Sequence, residues 1–161
     1  MGRIRWVGVL CGGVATFAAF FLLFVVLGSR VFVPLYPEGA LPTGLAWYLH
    51  LAVATLLPLT FLLAAFFAGS IVVGRLVATS PGLNGSVCAA LVSGGGFACL
   101  AGPLIPWVWR PISNPGEVYT RSENLGNLIE VSVVFCGAFP LIVLAGYLGG
   151  RFGGRFRMST A

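Results

Sequence analysis

Residues 76–109 contain no charged residue, a run of 34 positions between Arg75 and Arg110. A helix of about 20 apolar residues is enough to cross a hydrocarbon core roughly 30 Å thick. Only 8% of all residues are charged and 58% are hydrophobic, whereas a soluble domain carries about 25% charged residues. The sequence therefore predicts an all-α integral membrane protein, in which lipid surrounds the helices.

Small residues recur at every fourth position within this run. They are Ser86, Ala90, Gly94, Ala98 and Gly102. Positions i and i+4 lie on one face of a helix, and in lipid a face of small residues lets a second helix approach closely. We predict that this stripe is a helix-packing surface. Four more packing positions are predicted on the same grounds: Gly8, Gly12, Gly146 and Gly150.

The uncharged runs and the prolines divide the chain into four predicted helices in a single domain. These cover about residues 6–28, 46–76, 84–109 and 121–150, and a basic tail follows at 151–161. The first run has 24 uncharged residues, longer than the apolar core of about 7–15 residues in a signal peptide. We therefore expect it to be a retained helix. Thr120 and Glu123 have the spacing of a capping box, which predicts that the last helix starts near Arg121.

The arginines indicate how the helices are oriented. If the N-terminus is inside, six of the nine lie on the cytoplasmic side: Arg3, Arg5, Arg75, Arg151, Arg155 and Arg157. An excess of basic residues favours the cytoplasmic side of a membrane. We therefore predict an antiparallel bundle of four transmembrane helices with both termini cytoplasmic, in the cytoplasmic (inner) membrane of a bacterium.

Four polar residues form a candidate site at the outer side. At about 1.5 Å per residue, Glu130 lies roughly 31 Å from Arg151, near the outer edge of the hydrocarbon core. His50, Arg110 and Asn127 fall at a similar level. A charge beside lipid is costly unless it is paired, so we predict that Glu130 pairs with Arg110, or with His50 as second choice. Asn127 is one turn from Glu130 on the same face. The alternative is that water and headgroups satisfy each side chain separately.

No pattern in the sequence indicates catalysis or a cofactor. The four cysteines lie in apolar segments without a C-x-x-C pair: Cys11, Cys88, Cys99 and Cys136. Spacing brings no nucleophile, base and orienting group together, so we expect a protein that is not an enzyme and that holds no metal or cofactor. The arginines flank apolar runs instead of forming a patch with interleaved aromatic residues. Nucleic acid is therefore not an expected partner.

Glycines at the predicted helix ends form a further pattern. These are Gly69 and Gly74-Arg75, then Asn84-Gly85, then Gly149-Gly150-Arg151. Over roughly residues 64–96 and 145–151 the chain resembles small Gly-rich four-helix membrane proteins of bacteria. The resemblance implies a four-helix fold and supplies no activity. An internal repeat of two helix hairpins would give similar ends to the second and fourth helices, and so would a general preference for glycine there.

Two functions are compatible with these features. The first is a small multi-pass membrane protein with a structural or interaction role, or an accessory subunit of a membrane complex. Its partners would be the lipid bilayer and either further copies of the chain or a larger membrane protein. The alternative is a transporter or channel subunit with an outer polar site around Glu130. Four helices are few for a transport path, so this second function would require an oligomer.

Overall fold

The computed structural model describes residues 4–28, 44–109 and 115–156, and these residues form helices joined by short turns. The helices are α1 (Trp6–Phe21, continued by a π-helical stretch over Leu22–Gly28), α2 (Leu45–Leu76), α3 (Pro81–Ala101), α4 (Leu104–Trp109) and α5 (Pro115–Arg155). Within these described residues, four segments are long and apolar enough to cross a membrane: Trp6–Val26, Leu56–Leu76, Pro81–Pro106 and Thr120–Arg155. The predicted all-helical protein with four potential membrane spans is thus confirmed.

Prolines account for helix ends that differ from the predicted ones. α3 starts at Pro81 instead of residue 84, and α5 starts at Pro115 instead of residue 121. Proline suits the first position of a helix because its missing N–H would have no partner there. The predicted capping box is wrong, because Thr120 and Glu123 lie inside α5. α3 ends at Ala101, just before Pro103, which has no N–H to continue the helical hydrogen bonds.

Two of the helices are longer than a bilayer requires. α2 has 32 residues and α5 has 41, which at 1.5 Å per residue gives about 48 Å and about 61 Å. α5 also continues through Arg151 to Arg155, so the first part of the predicted tail is helical. Both helices therefore extend beyond a hydrocarbon core of about 30 Å, or tilt within it.

The buried core lies where α2 and α3 meet the two outer helices. α1 and α5 each pack against both α2 and α3. Two clusters of buried side chains fill these contacts: Val9, Val73, Val77 and Cys88 on the α1 side, and Phe66, Ala89 and Ile142 on the α5 side. All of them come from the end of the bundle that carries the 77–80 turn.

Candidate functional site

Glycines in the C-terminal part of α5 lie directly against the backbone of α2. Three pairs share this geometry: Gly74 with Gly150, Gly149 with Phe67, and Gly153 with Ile71. At the first glycine of each pair, a Cβ would overlap the carbonyl oxygen of the second residue. The two backbones are therefore in direct contact. In lipid, this close approach stabilises a helix pair through dispersion.

α3 meets α5 in the same way, through Gly82, Gly85 and Ala89. A Cβ at Gly85 would overlap the carbonyl oxygen of Gly146. In turn, a Cβ at Gly146 would lie 2.5 Å from the Cβ of Ala89. One turn away, a Cβ at Gly82 would lie 2.7 Å from Cε2 of Tyr147, so the tyrosine ring covers this glycine.

α1 uses glycines and one threonine against α2. A Cβ at Gly12 would overlap the side chain of Val73, and a Cβ at Gly69 would overlap the hydroxyl of Thr16. Thr16 is buried, and its Oγ1 donates to the carbonyl oxygen of Gly12 at 2.9 Å. We call the set of close-contact glycines the glycine junction: Gly8, Gly12, Gly69, Gly74, Gly82, Gly85, Gly146, Gly149, Gly150, Gly153 and Gly154. Four predicted packing positions, Gly8, Gly12, Gly146 and Gly150, lie in it.

Asn84 is a fully buried polar residue at the edge of the glycine junction. Its Oδ1 accepts the backbone N–H of Arg5 at 2.7 Å. Its Nδ2 donates to the carbonyl oxygens of Thr79 and Ser80 at 3.2 and 3.1 Å. Ser80 has φ 52°, a left-handed conformation that is uncommon outside glycine. One amide side chain thus fastens the start of α1 to the strained turn before α3.

Two further buried donors link α3 to its neighbours. The hydroxyl of Ser70 on α2 donates to the carbonyl oxygen of Gly85 at 3.3 Å. The thiol of Cys88 donates to the carbonyl oxygen of Val9 at 3.4 Å. Neither Ser70 nor Asn84 is predicted from the sequence to have such a role. The available signal was a polar residue inside a long apolar run, since such a residue needs a partner in lipid.

The predicted stripe on α3 is not the face that makes these contacts. Ser86, Ala90 and Gly94 are half-buried and Ala98 is exposed. At Gly94 a Cβ would meet nothing within 4 Å, and at Gly102 it would meet only Ala98 of the same helix. α3 has two small-residue faces, and the one through Gly82, Gly85 and Ala89 is in contact with α5. The predicted stripe is thus only partly covered, and at Gly94 it has room for a further contact.

Contacts are sparser at the other end of the bundle, in residues 94–109 and 115–138, which we call the open half. Five of its glycines would meet nothing within 4 Å if given a Cβ: Gly94, Gly95, Gly96, Gly126 and Gly137. The helices meet here through large side chains. Phe97 and Phe135 stack with ring centroids 4.4 Å apart, so α3 and α5 are separated by aromatic rings instead of touching backbones.

Two residues of the predicted outer polar site, Glu130 and Asn127, lie in the open half. Glu130 and Asn127 are both exposed. Arg121 marks the inward face of α5, because its Nε donates to the carbonyl oxygen of Val108 on α4 at 2.6 Å. Glu130 follows Arg121 by nine residues, or two and a half turns at about 3.6 residues per turn. Glu130 therefore leaves α5 on the face opposite α4.

The predicted partners of Glu130 are outside what the structure describes. Arg110 lies outside the described residues, and so does the side chain of His50. The described part of α5 places Asn127 one turn from Glu130, as the spacing requires. The pairing of Glu130 with Arg110 or His50 stays a prediction.

A shallow groove runs between α3 and α5 beside the glycine junction. Its volume is about 500 Å³, and its lining residues are Ser86, Phe139, Pro140, Val143, Leu144 and Tyr147. Apart from the hydroxyls of Ser86 and Tyr147 these side chains are apolar. The groove is lined by residues of two segments that are apolar enough to cross a membrane.

No protein-family model matches the chain, and searches of curated proteins and of solved structures give no match either.

Proposed function

We propose that this chain is a non-enzymatic, multi-pass protein of a bacterial cytoplasmic membrane, with a structural or interaction role or as an accessory subunit of a membrane complex. The observation that carries the proposal is the free small-residue face of α3. The bundle is held together by the glycine junction, while a Cβ at Gly94 would meet nothing within 4 Å. A small-residue face in lipid is suited to a second helix. The partner would be another copy of this chain or a helix of a larger membrane protein.

The proposed fold is an antiparallel bundle with both termini cytoplasmic. The order of contacts supports it, since residue numbers rise along α1 as they fall along α2: Gly8 lies beside Val77, Gly12 beside Val73 and Thr16 beside Gly69. The charges support the orientation. Arg5, Arg75, Arg151 and Arg155 belong to the end with the glycine junction, whereas Arg121 and Glu123 belong to the open half. The positive-inside rule favours the arginine-rich end in the cytoplasm.

Gly94→Leu tests the proposed interaction surface, and Gly95→Leu is its matched control. Both substitutions add the same side chain at positions where a Cβ would meet nothing within 4 Å. The neighbouring positions lie about 100° apart on the helix, so only Gly94 belongs to the stripe. We expect both variants to fold, and only Gly94→Leu to lose the oligomer or the co-purified partner. The measurement is particle mass in mild detergent and in nanodiscs, with identification of bound proteins. Equal particle composition for wild type and both variants would refute the proposal.

The alternative proposal is a transporter or channel subunit that uses Glu130. It is supported by the exposure of Glu130 and Asn127 on one face of α5, because an oligomer could turn that face toward a shared axis. Glu130→Gln would then abolish transport in proteoliposomes without changing the particle mass. A strictly monomeric protein would contradict this alternative.

A further inference from the structure

The groove between α3 and α5 continues into two arginines on the same face of α5. Tyr147, at one end of the groove, is followed at four-residue intervals by Arg151 and Arg155, so all three side chains lie along one side of the helix. Both arginines are exposed, and no acidic residue occurs between positions 131 and 156. One end of an apolar groove is thus bordered by two positive charges.

The distances along α5 match those in one leaflet of a membrane. Pro140 in the groove and Arg151 are 11 residues apart, which is about 16 Å of helix. Half of a typical hydrocarbon core is about 15 Å. An acyl chain lying along Pro140, Val143 and Leu144 would therefore bring its headgroup to the level of Arg151. Ser86 and Tyr147 add two hydroxyls close to that level.

We propose that the α3–α5 groove and the Arg151–Arg155 pair together bind a membrane phospholipid with an anionic headgroup. The phosphate lies against the guanidinium groups, which are well suited to phosphate through paired hydrogen bonds. One acyl chain occupies the apolar groove. This occupant is favoured over a transmembrane helix because it matches both parts of the surface, the apolar slot and the positive charge at its end. The binding site shares Ser86 with the small-residue stripe of α3 but does not include Gly94.

The headgroup arm of the test compares Arg151→Gln/Arg155→Gln with the control Arg75→Gln. Arg75 is an exposed arginine at the same end of the bundle, but it belongs to α2 and not to the groove face of α5. Each protein is reconstituted with phosphatidylglycerol and phosphatidylcholine of identical acyl chains, and retained lipids are counted by native mass spectrometry. Since each arginine near an anionic leaflet contributes about 1 kcal/mol, the pair contributes about 2 kcal/mol, and we expect the preference for phosphatidylglycerol to fall about thirtyfold in the double variant. Arg75→Gln should retain the wild-type preference.

The groove arm uses Ser86→Phe, which places a ring in the slot, with the exposed Leu91→Phe as control. We expect Ser86→Phe to lower retention of both lipids and Leu91→Phe to leave it unchanged. Thermal unfolding in detergent establishes whether each variant is folded. If Ser86→Phe is not folded, the comparison of Arg151→Gln/Arg155→Gln with Arg75→Gln alone tests the proposed lipid site. If Arg75→Gln lost as much of the preference for phosphatidylglycerol as the double variant, the arginines would attract anionic lipid without a specific site, and the proposal would be overturned. Unchanged lipid retention in the double variant, or a change of oligomer size instead of lipid content in Ser86→Phe, would also overturn it.

Discussion

The two halves of α5 use the same residue in opposite ways. In its second half, Gly146, Gly149, Gly150 and Gly153 face the backbones of α2 and α3 so closely that a Cβ would overlap them. In its first half, Gly126 and Gly137 would accept a Cβ without meeting anything within 4 Å. The difference shows that glycine content alone does not make a packing surface in lipid. A packing surface needs a second backbone at the right position.

The two halves also differ in how their polar groups are satisfied. Around the glycine junction, Asn84, Ser70 and Cys88 are fully buried and each donates a hydrogen bond. In the open half, Glu130 and Asn127 are exposed on the side of α5 that faces away from α4. Buried hydrogen bonds fix a single arrangement of helices. The polar groups of the glycine junction therefore fix the positions of the helices, whereas those of the open half face the surroundings.

The largest effect is expected for Gly150→Ala. The new methyl group would overlap the carbonyl oxygen of Pro81 and lie close to the Cα of Gly85, and neither backbone can move aside independently of its helix. Overpacking of this kind costs about 1–3 kcal/mol and sometimes more. Because the contact is between backbones, we expect a loss of at least about 3 kcal/mol in the free energy of unfolding. Reversible unfolding in mixed micelles measures it. A loss below about 1 kcal/mol would contradict the assigned contact.

The overall class of the fold could be predicted from the sequence, whereas the contacting face of α3 could not. Long uncharged runs predict transmembrane helices, since apolar helices of that length are stable in lipid. In contrast, Ser86-Ala90-Gly94 and Gly82-Gly85-Ala89 are both small faces of the same helix. Which of them meets α5 depends on the shape of α5 around Gly146 and Gly150. The contacting face of α3 is therefore determined by how α3 and α5 fit together, and it cannot be predicted from the sequence of either helix alone.

For the outer polar site, the number of residues along a helix likewise predicts only part of the geometry. Counting residues from Arg151 gave the depth of Glu130 but not the direction in which its side chain leaves α5. The hydrogen bond between Arg121 and Val108 supplies that direction, because it identifies the side of α5 that faces α4. The helix starts at Pro81 and Pro115 were predictable, since proline is favoured in the first turn. The start at Pro115 was missed because the capping-box pattern at Thr120 and Glu123 predicted a later start.

An intermediate effect is expected for Asn84→Ala. The substitution removes the acceptor for the N–H of Arg5 and the donor to the carbonyl oxygens of Thr79 and Ser80. These three hydrogen bonds are part-buried, and a typical hydrogen bond contributes about 0.5–1.5 kcal/mol to stability, so we expect a loss of about 2 kcal/mol. Hydrogen exchange should also become faster at Arg5. The matched control is Asn127→Ala in the open half, where the amide is exposed. Equal losses for the two variants would remove the distinction between the halves.

The smallest effect is expected for Gly137→Ala, and its sign is opposite to that of Gly150→Ala. Gly137 lies inside α5, where a Cβ would meet nothing within 4 Å. Replacing glycine by alanine within a helix reduces the conformational freedom of the unfolded chain and favours the helix by up to about 1 kcal/mol. No clash opposes this gain at Gly137, so we expect a stabilisation of about 0.5–1 kcal/mol in the same unfolding assay.

The two variants, Gly137→Ala and Gly150→Ala, make the same chemical change 13 residues apart on one helix. Intrinsic helix propensity should therefore act similarly on both, and the difference between them reports the packing around Gly150. If Gly137→Ala is destabilising by more than about 1 kcal/mol, a partner helix or a second copy covers that face of α5, and the open half is itself a contact surface.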